Sequence, residues 1–259
     1  MKPLVIANWK MNPTSVRAAR ALFGGLRRRL ARLRGVEVAV APPFPYLGLT
    51  RGARPFALAA QDVFWEPSGA YTGEVSPAML ADLGVRYVLV GHSERRRIFG
   101  DDDAAVNRKL GALLKAGLRP VLAIGEERHE SREVVPSKLA AELGRALEGI
   151  FRHDLPRVVI AYEPVWAIST APGARSDTPD HATSRAIYIR KLLTKLAGRR
   201  TADRIRIIYG GSVSANNAAG FISRDIRGME GLLVGGASLD AEEFIKIVRS
   251  VARHSTARI

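Results

Sequence analysis

The sequence contains no cysteine in 259 residues. This absence excludes disulfides, thiolate metal sites and cysteine nucleophiles. The sequence also lacks any apolar run near the roughly 20 residues that a membrane-spanning helix needs. Lys2 and Pro3 lead into a β-rich run instead of the apolar segment of a signal peptide. We therefore expect a cytoplasmic protein with no membrane partner.

Acidic residues are few compared with basic ones. Lys and Arg number 40 against 25 Asp and Glu, which gives a formal net charge of +15 at pH 7. Such an excess is compatible with a nucleic-acid partner, an anionic substrate or an arginine-rich composition. The basic residues are spread over several segments without interleaved aromatic residues, whereas stacking on nucleobases uses aromatics. We therefore expect no nucleic-acid partner, and we interpret most of these residues as solvated helix faces.

Short apolar runs alternate along the chain with segments of helical periodicity. The eight predicted strands are Leu4–Ala7, Val36–Ala41, Phe56–Ala60, Tyr87–Val90, Pro120–Ile124, Val158–Tyr162, Ile205–Tyr209 and Leu232–Val234. The clearest predicted helices are Ser15–Leu33, Asp103–Lys115, Pro136–Phe151, Pro179–Leu196 and Ala241–Val251. A strand followed by a helix, repeated eight times, predicts the α/β class and a single closed (β/α)8 barrel over residues 1–259. A doubly wound open sheet is the alternative with the same alternation.

Four polar stretches directly follow or end apolar runs. They are residues 8–12 (Asn-Trp-Lys-Met-Asn), 91–95 (Gly-His-Ser-Glu-Arg), 161–167 (Ala-Tyr-Glu-Pro-Val-Trp-Ala) and 209–213 (Tyr-Gly-Gly-Ser-Val). In a parallel barrel the carboxyl ends of the strands share one face, where barrel enzymes place their active sites. Glu163 stands at the end of a buried run and before a stiff Pro-x-Trp turn, which is a suitable position for a catalytic base. An isolated glutamate there is more often a solvated charge, so the prediction depends on the four stretches together.

Seven short motifs occur in a fixed order along the chain. They lie at residues 8–12, 69–74 (Gly-Ala-Tyr-Thr-Gly-Glu), 91–96, 124–126 (Ile-Gly-Glu), 162–168, 209–213 and 233–238 (Leu-Val-Gly-Gly-Ala-Ser). In these motifs the chain resembles the triosephosphate isomerase family over essentially its whole length. The resemblance implies an isomerase that interconverts dihydroxyacetone phosphate and D-glyceraldehyde 3-phosphate through an enediolate, in glycolysis and gluconeogenesis.

The chemistry of an aldose–ketose isomerase assigns roles to these residue types. One base must remove a proton from the carbon beside a carbonyl and return it to the neighbouring carbon, and Glu163 is the predicted base. His92 is the predicted donor to the substrate oxygens, kept neutral if a short helix begins directly after it. Lys10 provides a positive charge near these oxygens, and Asn8 orients them. The resemblance further implies that Glu94 pairs with Lys10.

Glycine pairs after the last two predicted strands indicate a phosphate site. Glycine lets backbone N–H groups approach an anion closely, and barrels of this kind bind phosphate after strands seven and eight. One pair precedes Ser212, and the other is Gly235 and Gly236. We therefore predict Ser212, Gly235 and Gly236 as substrate-binding residues. We predict no metal and no cofactor, because the sequence has neither a ligand cluster nor a dinucleotide fingerprint.

The segment after Trp166 departs from the family pattern. The family's lid corresponds to residues 164–179, and its two glycines are replaced here by Ser169 and Ala171. The C-terminal hinge is also longer by about three residues. Because the family's lid binds phosphate through a backbone N–H at the position of Ser169, we expect Ser169 to bind substrate and the lid to close with altered kinetics.

The resemblance also implies a homodimer in which loop 61–74 projects into the partner subunit, with Thr72 at the interface. Two alternative functions remain open at this point. One is an isomerase of a four-carbon ketose phosphate, for which the longer lid would provide room. The other is a barrel that has lost its activity and acts as a binding protein.

Overall fold

A computed structural model describes residues 1–50, 55–127, 137–168, 176–222 and 228–256. Its eight parallel strands are hydrogen-bonded in sequence order, and the last strand pairs with the first. The strands are β1 (Leu4–Asn8), β2 (Glu37–Ala41), β3 (Ala57–Ala60), β4 (Val85–Val90), β5 (Arg119–Glu126), β6 (Val159–Pro164), β7 (Arg206–Tyr209) and β8 (Gly231–Val234). The predicted closed barrel is confirmed, and the open sheet is excluded.

The predicted strand ends differ from the observed ones by at most two residues. The difference that matters most is at β6, which extends through Glu163 to Pro164. These two residues pair in register with Gly125 and Glu126 of β5. The predicted base therefore lies within a strand, where the hydrogen bonds of the sheet fix its backbone.

The helices surround the barrel with less regularity than the alternation predicts. They are α1 (Val16–Leu30), α2 (Pro77–Asp82), α3 (Ser93–Phe99), α4 (Asp103–Lys115), α5 (Ser137–Ala146), α6 (Pro179–Ala197), α7 (Arg199–Ala202) and α8 (Ala241–Thr256). Within the described residues, 3₁₀ segments at Phe44–Thr50 and Ala218–Phe221 follow β2 and β7. Pro45, Gly48 and Gly220 lie in these segments and disfavour an α-helix there. In the same part of the chain, no helix combines the length and apolar character needed to cross a bilayer.

Alternate strand residues fill the interior of the barrel. They form a buried cluster of Leu4, Ile6, Ala39, Ala41, Ala59, Tyr87, Leu89, Val121, Ala123, Val159, Ala161, Ile208 and Leu233. Asn8 continues the series of Leu4 and Ile6, and Glu163 continues the series of Val159 and Ala161. The strand period therefore directs both polar side chains toward the barrel axis, at the carboxyl ends of their strands.

Candidate active site

Glu163 lies at the mouth of the barrel with 2% of its surface exposed. Its neighbour across the strand pair is Gly125. A Cβ atom at position 125 would lie 1.7 Å from the carbonyl oxygen of Glu163, so only glycine permits this close approach. Oε2 of Glu163 accepts a hydrogen bond from the backbone N–H of Ser93 at 3.3 Å. The carboxylate is thus buried and held by the start of α3, which follows β4.

His92 is the N-cap residue of α3, and its ring takes part in the cap. Nδ1 accepts a hydrogen bond from the backbone N–H of Glu94 at 3.2 Å. Because Nδ1 is an acceptor, the proton of the neutral imidazole lies on Nε2. Nε2 is 3.3 Å from Oε1 of Glu163. The start of the helix therefore selects the tautomer that donates toward the barrel mouth.

Lys10 has a left-handed backbone conformation with a φ of 53°, which is uncommon for a residue with a Cβ atom. Its backbone N–H donates to Oδ1 of Asn8 at 3.1 Å, and its carbonyl accepts from Nε2 of Gln61 at 2.8 Å. Its Nζ lies 2.6 Å from Oε1 of Glu94. These bonds fix both the strained backbone and the position of the charge.

A cavity of about 240 Å³ opens at this end of the barrel. It is lined by Asn8, Lys10, His92, Glu163, Ile168, Gly210, Gly211, Ser212, Val213, Leu233, Gly235, Gly236 and Ala237. Ser212 donates from its backbone N–H and its hydroxyl to the carbonyl of Ala167, at 3.0 and 2.7 Å. Gly235 and Gly236 present backbone without side chains, so a ligand can approach their main chain closely.

The cavity brings together most of the site residues that the sequence predicts. Those that line it are Asn8, Lys10, His92, Glu163, Ser212, Gly235 and Gly236. Glu94 pairs with Lys10 but does not line the cavity. Thr72 is exposed on loop 61–74 and does not line the cavity either. Ser169 lies outside the described residues. Among the residues that are described, no group of three or more His, Asp or Glu side chains is placed to hold a metal ion.

Comparison with known proteins identifies the family. The family model for triosephosphate isomerase matches residues 3–251. The chain belongs to the triosephosphate isomerase family.

Similar proteins include triosephosphate isomerases from three bacteria. The one from Carboxydothermus hydrogenoformans is 44% identical over 255 residues, covering 96% of this chain and 98% of the relative. The one from a Roseiflexus species is 44% identical over 251 residues, covering 95% and 96%. The one from Pelobacter propionicus is 42% identical over 251 residues, covering 95% and 97%. The resemblance inferred from the seven motifs is confirmed, and this member of the triosephosphate isomerase family is an isomerase.

A buried polar network between the ends of β5 and β6 and helix α6 was not predicted from the sequence. The hydroxyl of Tyr162 donates to Oε1 of Glu126 at 2.9 Å, and Nε of Arg185 donates to the same oxygen at 2.8 Å. Burial, followed by the negative charge of Glu126, raises the pKa of Tyr162. Arg185 is 59 residues from Glu126 in sequence, so no local pattern connects them. The one available signal was the position of Glu126 in the Ile-Gly-Glu motif.

Gln61, Ser93 and Gly125 also contact candidate site residues, and the sequence placed them in motifs or loops without a role. Gln61 holds the backbone of Lys10, and Ser93 and Gly125 contact Glu163. Each of these contacts involves main-chain atoms and joins two segments that are distant in sequence. Side-chain chemistry in the sequence gives no signal for such contacts.

Proposed function

We propose that the protein interconverts dihydroxyacetone phosphate and D-glyceraldehyde 3-phosphate, with Glu163 as the base and His92 as the donor to the substrate oxygens. The observation that supports this most directly is the 3.3 Å separation between Oε1 of Glu163 and Nε2 of His92, in a cavity that also contains Lys10. Proton transfer beside a carbonyl requires a base and a hydrogen-bond donor on one small site.

The proposed reaction consists of two proton transfers through an enediolate. Glu163 removes a proton from the carbon beside the carbonyl, while Nε2–H of His92 donates a hydrogen bond to the oxygen that becomes negatively charged. Protonated Glu163 then returns the proton to the adjacent carbon, and a proton moves between the two oxygens that His92 faces. The substrate and product are isomers, so the reaction needs no cofactor.

Lys10 and Asn8 stabilise the negative charge of the enediolate in this proposal. The side chain of Lys10 is 21% exposed, so its charge acts through a medium less polar than bulk water. Its bond to Glu94 holds the ammonium group in place before substrate arrives. Donors that are positioned in advance stabilise a developing charge without reorganisation during the reaction.

The phosphate is bound by Ser212, Gly235 and Gly236 in this proposal. The glycines allow backbone N–H groups to contact the anion directly. Ser169 contributes a further backbone N–H from the lid formed by residues 164–179, and the lid closes with altered kinetics. A complex with a substrate analogue in which this N–H points away from the phosphate would contradict the role of Ser169.

We also propose that the protein is a cytoplasmic homodimer that acts in glycolysis and gluconeogenesis. In this assembly loop 61–74 enters the partner subunit with Thr72 at the interface. Tyr71 on the loop is 45% exposed and Met11 beside Lys10 is 89% exposed, and association would bury such apolar surface. Thr72→Arg is expected to shift sedimentation equilibrium toward the monomer and to lower activity. A parent protein that sediments as a fully active monomer would contradict the dimer.

A coupled assay with D-glyceraldehyde 3-phosphate tests the proposed reaction. Glu163→Asp withdraws the carboxylate by one methylene, and we expect turnover to fall by about a hundredfold. The exposed Glu148 is the matched control, because Glu148→Asp makes the same chemical change away from the cavity. Loss of turnover in both variants, or in neither, would contradict the role of Glu163. A parent protein that acts on four-carbon ketose phosphates and not on triose phosphates would contradict the proposed substrate.

A further inference from the structure

Asp177 and His181 form a buried polar pair that the proposed reaction does not use. Nδ1 of His181 lies 2.9 Å from Oδ1 of Asp177, and the two side chains are 5% and 1% exposed. The pair is built into the start of α6. The N-cap Thr178 accepts from the backbone N–H of His181 at 3.2 Å and donates its own N–H to Oδ1 of Asp177 at 2.7 Å. Since burying a carboxylate is unfavourable unless its partners compensate, the position of this pair calls for an explanation.

His181 contacts the turn that follows the base. Its ring packs edge-on against Trp166, with the ring centroids 5.5 Å apart and the planes at 69°. Trp166 is the middle residue of the 3₁₀ turn Val165–Ala167, directly after β6. The carbonyl of Ala167 accepts both hydrogen bonds from Ser212. The imidazole therefore supports the turn that holds a predicted phosphate-binding residue.

Asp177 faces the end of β7. Burial, followed by the negative charge of Asp177 and a hydrogen bond between the two side chains, raises the pKa of the Tyr209 hydroxyl. Both the Tyr209 hydroxyl and Oδ2 of Asp177 are buried, and within the described residues neither has another hydrogen-bond partner. One is a donor and the other an acceptor, and Tyr209 directly precedes the Gly210-Gly211-Ser212 segment. Asp177 and His181 together thus contact both segments that meet at Ser212.

We propose that Asp177 and His181 are positioning residues for the isomerase reaction, which hold the turn 165–167 and the end of β7 so that Ser212 is correctly placed. This inference rests on the proposed function and deepens it. Neither residue lines the cavity, so both act through Trp166, Ala167 and Tyr209. The position of Glu163 is fixed independently by its pairing with β5. Asp177 and His181 therefore act on the phosphate side of the site.

The other charged groups near the pair are already matched or exposed. Glu126 and Arg185 pair with each other at 2.8 Å, and the Tyr162 hydroxyl donates to Glu126. Asp180 is exposed at the start of α6. Variants at these two positions therefore change the Asp177–His181 interaction and the contacts that the pair makes with Thr178, Trp166 and Tyr209.

Kinetics with two substrates test the inference. D-Glyceraldehyde lacks the phosphate, so its slow isomerisation does not depend on Ser212. His181→Leu and Asp177→Asn are expected to lower kcat/KM for D-glyceraldehyde 3-phosphate about tenfold or more, with a change below about twofold for D-glyceraldehyde. His181→Gln keeps an amide donor toward Asp177 and is expected to retain most of the parent activity. Emission from Trp166, assigned with Trp166→Phe, is expected to shift in His181→Leu.

Arg190→Leu is the matched control for a purely structural effect. Arg190 lies on the same helix, is 8% exposed and pairs with Glu230 at 3.0 Å, away from the cavity lining. We expect this variant to lose thermal stability without changing the ratio of activities on the two substrates or the Trp166 emission. Equal losses on both substrates in His181→Leu, or unchanged kinetics, would overturn the inference. A parent protein without turnover on D-glyceraldehyde 3-phosphate would instead contradict the proposed function.

Discussion

Replacing Gly125 with alanine is expected to remove most of the activity by displacing Glu163, the proposed base. Gly125 of β5 pairs in register with Glu163 of β6. An alanine Cβ at position 125 would lie 1.7 Å from the carbonyl oxygen of Glu163 and 2.7 Å from its carbonyl carbon. Both are backbone atoms of a barrel strand, so no side-chain rotation can relieve the overlap. The two strands must move apart at the residue that carries the proposed catalytic carboxylate.

The size of this movement follows from the contact distance. A carbon–oxygen contact needs about 3.3 Å. The alanine Cβ would lie 1.7 Å from the carbonyl oxygen of Glu163, so the two strands must move apart by roughly 1.6 Å. A misplacement of about 1 Å in an active site can lower turnover about a hundredfold, and we expect at least this loss in kcat. Overpacking of a well-packed interior lowers the free energy of unfolding by about 1–3 kcal/mol. We therefore expect a folded protein with very low activity.

Two other glycines provide a graded comparison. A Cβ atom at Gly210 would lie 2.8 Å from Cγ of Glu163, a side-chain atom that can rotate, so Gly210→Ala is expected to lose less activity. A Cβ atom at Gly144 in α5 meets nothing within 4 Å. Gly144→Ala is expected to keep parent activity and to raise the free energy of unfolding by roughly 0.5–1 kcal/mol. Coupled turnover and urea unfolding measure both quantities, and parental kcat in Gly125→Ala would refute the reasoning.

Three further predictions concern charged groups. Lys10→Met is expected to lower kcat by about 10²–10³ and to change the free energy of unfolding by less than about 1 kcal/mol, because its ion pair is partly exposed. Lys109→Met removes the buried ammonium partner of Asp62 and Asp101, but Arg95 still pairs with both at 2.8 and 2.9 Å, so the variant is expected to cost about 1–3 kcal/mol in urea unfolding. Asp103→Asn is expected to be less stable than the parent at pH 7, and the difference is expected to narrow as pH falls below the unfolded-state value of about 3.9. Burial alone raises the pKa of Asp103, but its two arginine partners outweigh burial and lower it, so its stabilising contribution is lost as pH falls through the folded-state pKa.

Each of these predictions has a control and a contradicting outcome. Parental kcat in Lys10→Met would exclude the proposed electrostatic role. Lys115→Met removes an exposed lysine from the same helix and is expected to leave stability nearly unchanged, so an equal cost in both lysine variants would contradict the account of Lys109. For Asp103, the exposed Asp82 of α2 is the comparison, and a stability difference that persists unchanged at pH 3 would show that charge is not its cause.

The strands and the direction of two site residues were predictable because strand structure has a short period. Short apolar runs mark the strands, and the period of two directs Asn8 and Glu163 toward the barrel axis. The helices were less predictable, because Pro45, Gly48 and Gly220 replace α-helix with 3₁₀ segments in two connections. The grouping of His92, Lys10 and Ser212 in one cavity followed from a topological rule, since each stands after a parallel strand.

The sequence by itself determined the barrel, the family and the residue types at its mouth, because strand period, glycine pairs and motif order are properties of short segments. Tertiary structure alone decided how those segments touch. It placed Gly125 beside Glu163 on the adjacent strand, Gln61 on the backbone of Lys10, and His181 of the Asp177–His181 pair against Trp166. These contacts depend on the register between strands and on the closure of the barrel, and no period within one segment specifies the distance to another segment.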